Sequence, residues 1–493
     1  MMVPTPGRAA NPMEQIAAAR TVRVRRRRTS RMVTGVLVVA LLAGGAFAAT
    51  RLVGGDDGGT PDRWSDELAP LAAQVEQLRA LTFEHPVRLE HLDPIEFDRR
   101  LAELDAPPVT AVGAGPTYSA DLLDLFGITP TASTVGVDVA WLPTSDVIVM
   151  RGSTIDAVHE AALVHELTLA LLAQFAATPA GTSTGTPSSA LTTAAVRQAD
   201  ANTTTATYVA KLRPDAQAEV AAVPLPVPAS AGMPAAPWPL LDAVHAPFAL
   251  GDALVERAAL NRGVVGVNDL LRAPPDEYAV LNPWTAFSNR VGDFEAVPRL
   301  PPGAVVIEQS KDITGVEMLV ALDTWLPWTT SSDALLSWVD GTYTTYRIGA
   351  DGPLCAALAV MVLSSVSADV SGVFTFWAAA MGSTGVPEVE PNTFTASDSA
   401  SADTVHVQLC VRGAGAPAAP PQTVPTVSAM MFERSLVPAG KADFSQVRTE
   451  LCIAAALIDD PVSAPLVVLP VRDAAQAAQL DALAATARER CAA

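Results

Sequence analysis

The chain has 493 residues, 49% of them hydrophobic and only 17% charged, more than one core needs, so two or more domains are expected. Its 32 Lys and Arg against 52 Asp and Glu give a formal charge of −20 and a pI of about 4.6. That balance repels phosphate backbones and anionic lipid, which excludes nucleic acid as a partner.

The first element is an export signal. Arg20, Arg23, Arg25, Arg26, Arg27, Arg28 and Arg31 precede the uncharged run Met32 to Thr50, whose length suits a membrane-spanning helix. The positive-inside rule then makes residues 1–31 a basic cytoplasmic tail, residues 32–50 a single-pass transmembrane helix and the body extracytoplasmic at the cell membrane. Ala46-Phe47-Ala48 before Ala49 has the small-x-small form of a cleavage site, so a signal-peptide h-region is the competing reading. The expected partners are the membrane, through this segment, and a protein of the cell envelope. All four cysteines, Cys355, Cys410, Cys452 and Cys491, lie on the outer side, where two disulfides are expected. Three connectivities are possible; pairing neighbours along the chain favours Cys355 with Cys410 and Cys452 with Cys491.

Residues 51–84 read as a stalk and a helix. Gly54 to Asp62 is a flexible, turn-rich stalk, and Trp64 to Leu81 places Leu68, Leu71, Val75, Leu78 and Leu81 near helical spacing. A strand and a helix starting at Asp93-Pro94 follow. Residues 135–151 form two β-branched runs around Pro143 to Asp146, a hairpin pattern. The strongest helix spans Ser153 to Phe175, with no Gly or Pro and with Ser or Thr as its cap; a second covers Ala190 to Leu212. After a proline-rich crossing (residues 223–239), helices are expected over Leu240 to Asn261 and Val264 to Arg272. The stretch 298–303, PRLPPG, marks a boundary between a domain at 85–300 and a C-terminal α+β domain at 301–493, where strand-like runs such as TTYRIG and VHVQLCV alternate with apolar helical ones. Trp325, Trp328 and Trp338 suit either a glycan or peptide groove or core packing.

Chemistry concentrates in the strongest helix. His165-Glu166-Leu167-Thr168-Leu169 stands one residue from HExxH, in which two histidines on one helical face hold Zn²⁺ and the Glu activates the bound water. Leu169 cannot ligate. His159, six residues before His165, lies about 120° around the helix and cannot share a metal with it. No GxSxG, P-loop or strand-turn-helix GxGxxG supports another enzyme class.

HELTLALLAQF resembles the HELTHALQDQ-type active-site helix of an actinobacterial family of secreted or membrane-anchored neutral zinc metallopeptidases. Gly251 to Pro283 is similar to that family's G..lV..l...GG...vn..l..PP.s.e.vl.P segment, and WVDGTYTTYRIGADGPLCAAL resembles its C-terminal strand region. The resemblance implies an α+β architecture: a zincin-like helical metallopeptidase-type domain plus a C-terminal α+β unit, preceded by one transmembrane helix. It also implies a third ligand, Glu, from a second helix, where Gln198 stands here. With Leu169 and Gln198 at ligand positions, His165 and Glu166 read as vestigial, and Asp200 is the one nearby carboxylate that could approach His165. The expectation is therefore a catalytically inactive relative with no cofactor, acting by binding or as an envelope structural component. The alternatives are an active zinc metallopeptidase with a non-standard ligand set and a non-enzymatic part of the envelope or secretion machinery.

Overall fold

A computed structural model describes residues 61–105, 125–126, 138–143, 145–176, 187–222, 238–275, 277–284, 297–349, 352–363, 367–382, 388–395, 401–410, 424, 426–437, 444–468 and 473–492. The expected transmembrane segment 32–50 and its arginines lie outside these residues. Among the described residues, no helix is long and apolar enough to cross a membrane.

Helix α1 (Leu68–Arg79) buries Leu68, Leu71, Ala72 and Val75, an i, i+3, i+4, i+7 stripe, and Arg79 continues the same face. A three-stranded sheet follows. β1 (Arg88–Leu92) runs parallel to β3 (Val147–Arg151), and β2 (Val139–Leu142) pairs antiparallel with β3, giving the order β1-β3-β2. Helix α2 (Pro94–Asp105) starts as the sequence indicates: the Asp93 carboxylate accepts the N–H groups of Ile95 and Glu96, and Pro94 has no N–H to satisfy. Alternation along the strands divides the sheet's faces. Ala140, Leu142, Val147 and Val149 meet Phe97 of α2, while Val139, Trp141, Ile148 and Met150 join the core of α3 (Ala157–Phe175). Helix α3 begins three residues later than Ser153 as cap would require, and two later than Thr154 would. Asp156 takes the role, accepting the N–H groups of Val158 and His159 and placing negative charge at the helix N-terminus.

Helix α4 (Pro187–Val209) packs between α3 and the long α6 (Trp238–Arg272), with α5 (Pro214–Ala222) against α3. Helix α6 breaks at Gly263, whose φ of 62° L side chains rarely adopt, so it consists of two helical pieces. Near the start of the described side chains of α6, a Cβ on Gly251 would lie 1.8 Å from the Ala195 carbonyl oxygen of α4 and 2.8 Å from Ala199 Cβ. Only glycine permits this approach. Gly251→Ala should push the helices apart and cost about 1–3 kcal/mol, read as a lower urea midpoint at constant m-value. An unchanged midpoint would contradict the close packing of α4 on α6.

The second half holds a five-stranded sheet of order β4-β5-β6-β8-β7: β4 (Ala304–Asp312), β5 (Trp338–Ile348), β6 (Leu354–Leu363), β7 (Glu388–Thr395) and β8 (Ser401–Cys410), every pairing antiparallel. β6 is central and buried on both faces, which is why LCAALAVMVL lacks alternation. After α7 (Glu277–Leu281), helix α8 (Gly315–Asp323) starts from a reciprocal cap between Thr314 and Glu317. It is followed by α9 (Trp328–Leu335), α10 (Ser367–Ala380), α11 (Thr426–Leu436), α12 (Phe444–Ile458), the single turn α13 (Ala464–Val467) and α14 (Ala474–Cys491).

One interior links the two halves. It runs from Leu191 and Ala195 of α4 and Leu250 and Leu254 of α6, through Leu319 and Leu322 of α8, to Leu358 of β6, Val407 of β8 and Leu457 of α12. The expected architecture, a helical zincin-like domain behind a transmembrane helix and ahead of a C-terminal α+β unit, is thereby corrected. The described chain mixes helix and strand around two sheets, one of them inside the supposedly helical part. The physical reason is that α4 serves two interiors: Ala201, Tyr208 and Val209 pack in the cluster of α3, while Leu191, Ala195, Val196 and Ala199 pack with α6 and the second half. Trp325, Trp328 and Trp338 are buried in this interior, where the indole N–H of Trp325 donates to the Phe126 carbonyl and that of Trp328 to Glu433.

Both favoured cysteine pairs form disulfides. Cys355–Cys410 joins residues directly opposite each other on β6 and β8, and Cys452–Cys491 joins α12 to α14.

Candidate functional site

Helices α3 and α4 bring His165 and Gln198 together in the interior, with His165 Nε2 at 3.0 Å from Gln198 Oε1. His165 is 0% exposed, and loss of water pushes its imidazole down to about 3, against a smaller upward pull from Gln198. The ring is neutral at physiological pH. Gln198 Oε1 accepts from Nε2–H, leaving Nδ1 without a hydrogen-bond partner among the described residues.

Glu166 serves the small sheet. Its carboxyl Oε2 accepts the backbone N–H of Trp141 at 2.9 Å on β2, the edge strand next to α3. Burial pushes this acid up to about 8, and the Trp141 N–H opposes the rise only partly. At neutral pH it is a protonated acid covering a strand edge. Leu169, one turn after His165, is packed in the cluster that contains Leu167, Ala170 and Ile148.

Asp200 turns to α1. Its carboxylate pairs with Arg79 at 2.7 Å, and the same guanidinium nitrogen donates to Asn268 of α6 at 3.0 Å. Burial raises Asp200 to about 6 although Arg79 pulls it down. The ion pair is itself buried and ties three helices together. Farther out, His159 sits 2.6 Å from Asp156, His85 3.2 Å from Asp146 and His91 2.9 Å from Glu67, each in a separate surface pair. His406 lies on β8, in the other sheet.

This donor set does not fit zinc. Tetrahedral zinc with ligand bonds of about 2.0–2.2 Å sets two ligand atoms roughly 3.4 Å apart. His165 and Gln198 instead make a direct hydrogen bond, Leu169 offers no lone pair, and Asp200 is committed to Arg79. Among the described residues, no group of three or more His, Cys, Asp or Glu could hold a metal ion. Of the residues singled out from the sequence, the structure brings His165 and Gln198 together and turns Glu166 and Asp200 to other partners. Arg79, Asn268 and Trp141 were not found from the sequence. Arg79 had one signal, a charge ending the apolar stripe of α1; Trp141 acts through its backbone and had none.

Compared with protein-family models, with curated proteins and with solved structures, the chain matches none. The metallopeptidase resemblance therefore stands on its short motifs.

Proposed function

We propose that this chain is an extracytoplasmic protein of the cell envelope that works by binding or as a structural part, without peptidase chemistry at His165 and Glu166. The observation that carries this reading is the engagement of both buried side chains: His165 with Gln198, Glu166 with the Trp141 N–H. Metal-assisted hydrolysis needs a polarised water within reach of a base and of substrate, and residues 0% and 1% exposed meet neither. The outer location draws support from two disulfides, which persist in oxidising compartments, and from the arginine-led segment 32–50. A protein of the envelope is the partner class that an acidic, disulfide-bonded body suits.

Elemental analysis of chain purified from zinc-supplemented culture tests this, together with hydrolysis of casein and peptide libraries with and without chelator. The expected result is well under one zinc per chain and no chelator-sensitive cleavage. Stoichiometric zinc, with cleavage abolished by Glu166→Gln, would restore the active-peptidase alternative.

A further inference from the structure

Each disulfide has one half-buried cysteine, Cys410 or Cys491, and the two differ at the other. Cys355 is 0% exposed on the central strand β6, between β5 and β8, so two strand ladders hold Cys355 beside Cys410 whether or not the sulfurs are joined. Cys452, by contrast, lies on an exposed position of α12, and its partner is the last residue of α14.

Helix α14 is weakly held by everything except that bond. Of its 18 residues only Ala487 is buried. Leu480, Leu483, Ala484 and Cys491 complete one narrow stripe that rests, half covered, on the core, chiefly along α12. Among the described residues, its side-chain hydrogen bonds stay within the helix and its cap: Asp473 with Gln476, and Thr486 to the Ala482 carbonyl. A helix with two leucines in its docking stripe and, among the described residues, no side-chain hydrogen bond to the body buries little to offset the entropy of fixing 18 residues. Closing the 39-residue interval from Cys452 to Cys491 removes much of that cost.

We propose that the Cys452–Cys491 disulfide is a redox-operated latch, and that an extracytoplasmic dithiol reductant releases α14 from α12 while leaving the rest of the fold in place. A thiolate of the reductant attacks one of the two sulfurs, forms a mixed disulfide and expels the other cysteine as a thiolate. The reductant's second thiol then displaces the first cysteine. Two electrons and two protons pass to Cys452 and Cys491, which become free thiols, and the reductant leaves as its own disulfide. Exposure gives the attacking thiolate access at Cys452, whereas the sheet shields Cys355.

The test uses the full chain, treated with dithiothreitol under native conditions, with thiol alkylation mapped by mass spectrometry and amide hydrogen exchange followed by segment. Alkylation is expected at Cys452 and Cys491 only, and protection over residues 474–491 should fall at least about tenfold while β5, β6 and β8 keep theirs. Reoxidation should restore it. The Cys452→Ser/Cys491→Ser variant should match the reduced chain without any reductant. Undiminished protection over 474–491 in the reduced chain or in that variant overturns the proposal, as does loss of protection throughout the body.

Discussion

Replacing Arg79 with Met should destabilise the protein by about 3–5 kcal/mol at pH 8, because it leaves the Asp200 carboxylate buried without its counter-ion. The loss should depend on pH in a defined direction. Asp200 has a folded value of about 6, above the 3.8 of an unperturbed aspartate, so the stability linked to its protonation is present below about 3.8 and fades as pH rises through 6. Without Arg79 the folded value climbs further, so near pH 5 the carboxyl is neutral in the folded variant and the penalty shrinks. Urea unfolding of Arg79→Met, Asp200→Asn and the double variant at pH 5 and pH 8 measures the coupling. An Arg79→Met penalty that is equal at both pH values, or undiminished in the Asp200→Asn background, would show that the two residues do not meet as described. Since Arg79 also donates to Asn268, part of the loss will survive Asp200→Asn.

Glu166→Gln should raise stability, by about 2–4 kcal/mol at pH 8.5. The folded carboxyl titrates near 8, against 4.5 for an ordinary glutamate, so its contribution is complete below about 4.5 and is lost as pH rises through 8. Glutamine keeps an oxygen to accept the Trp141 N–H and cannot ionise, which removes the loss. Near pH 5 the two proteins should unfold at similar urea concentrations. Glu166→Ala should instead cost about 1–3 kcal/mol even at pH 5, because the buried Trp141 N–H loses its acceptor. A stability at pH 8.5 that is lower for the Gln variant than for the parent would mean that the native carboxylate is charged and partnered, and with it the case against chemistry at this residue would fail.

The sequence exposed those features that depend on neighbours along the chain. The Asp93-Pro94 helix start, the hairpin over β2 and β3, the unbroken α3 and the stripe of α1 are short-range patterns, and each appears near its expected place. The cysteine pairs were also legible, since adjacent cysteines fell on adjoining elements. What escaped was set by contacts distant in sequence. Nothing near Glu166 says that a strand edge 25 residues earlier will claim its carboxyl. Nothing in Gly251 says that Ala195 needs the space. The proline-rich stretch at 298–303 reads as a boundary from composition; that residues of α4, α6 and α8 share one interior with the second sheet has no local signal.

That shared interior has a consequence for how the chain can be divided. Cutting at 298–303 would strip α6 and α8 of each other and leave half an interior open to water on both fragments. The two halves can therefore be neither shuffled nor truncated as independent modules. A lesion in either, such as a lost helix contact at Gly251, disturbs an interior to which the other half also contributes.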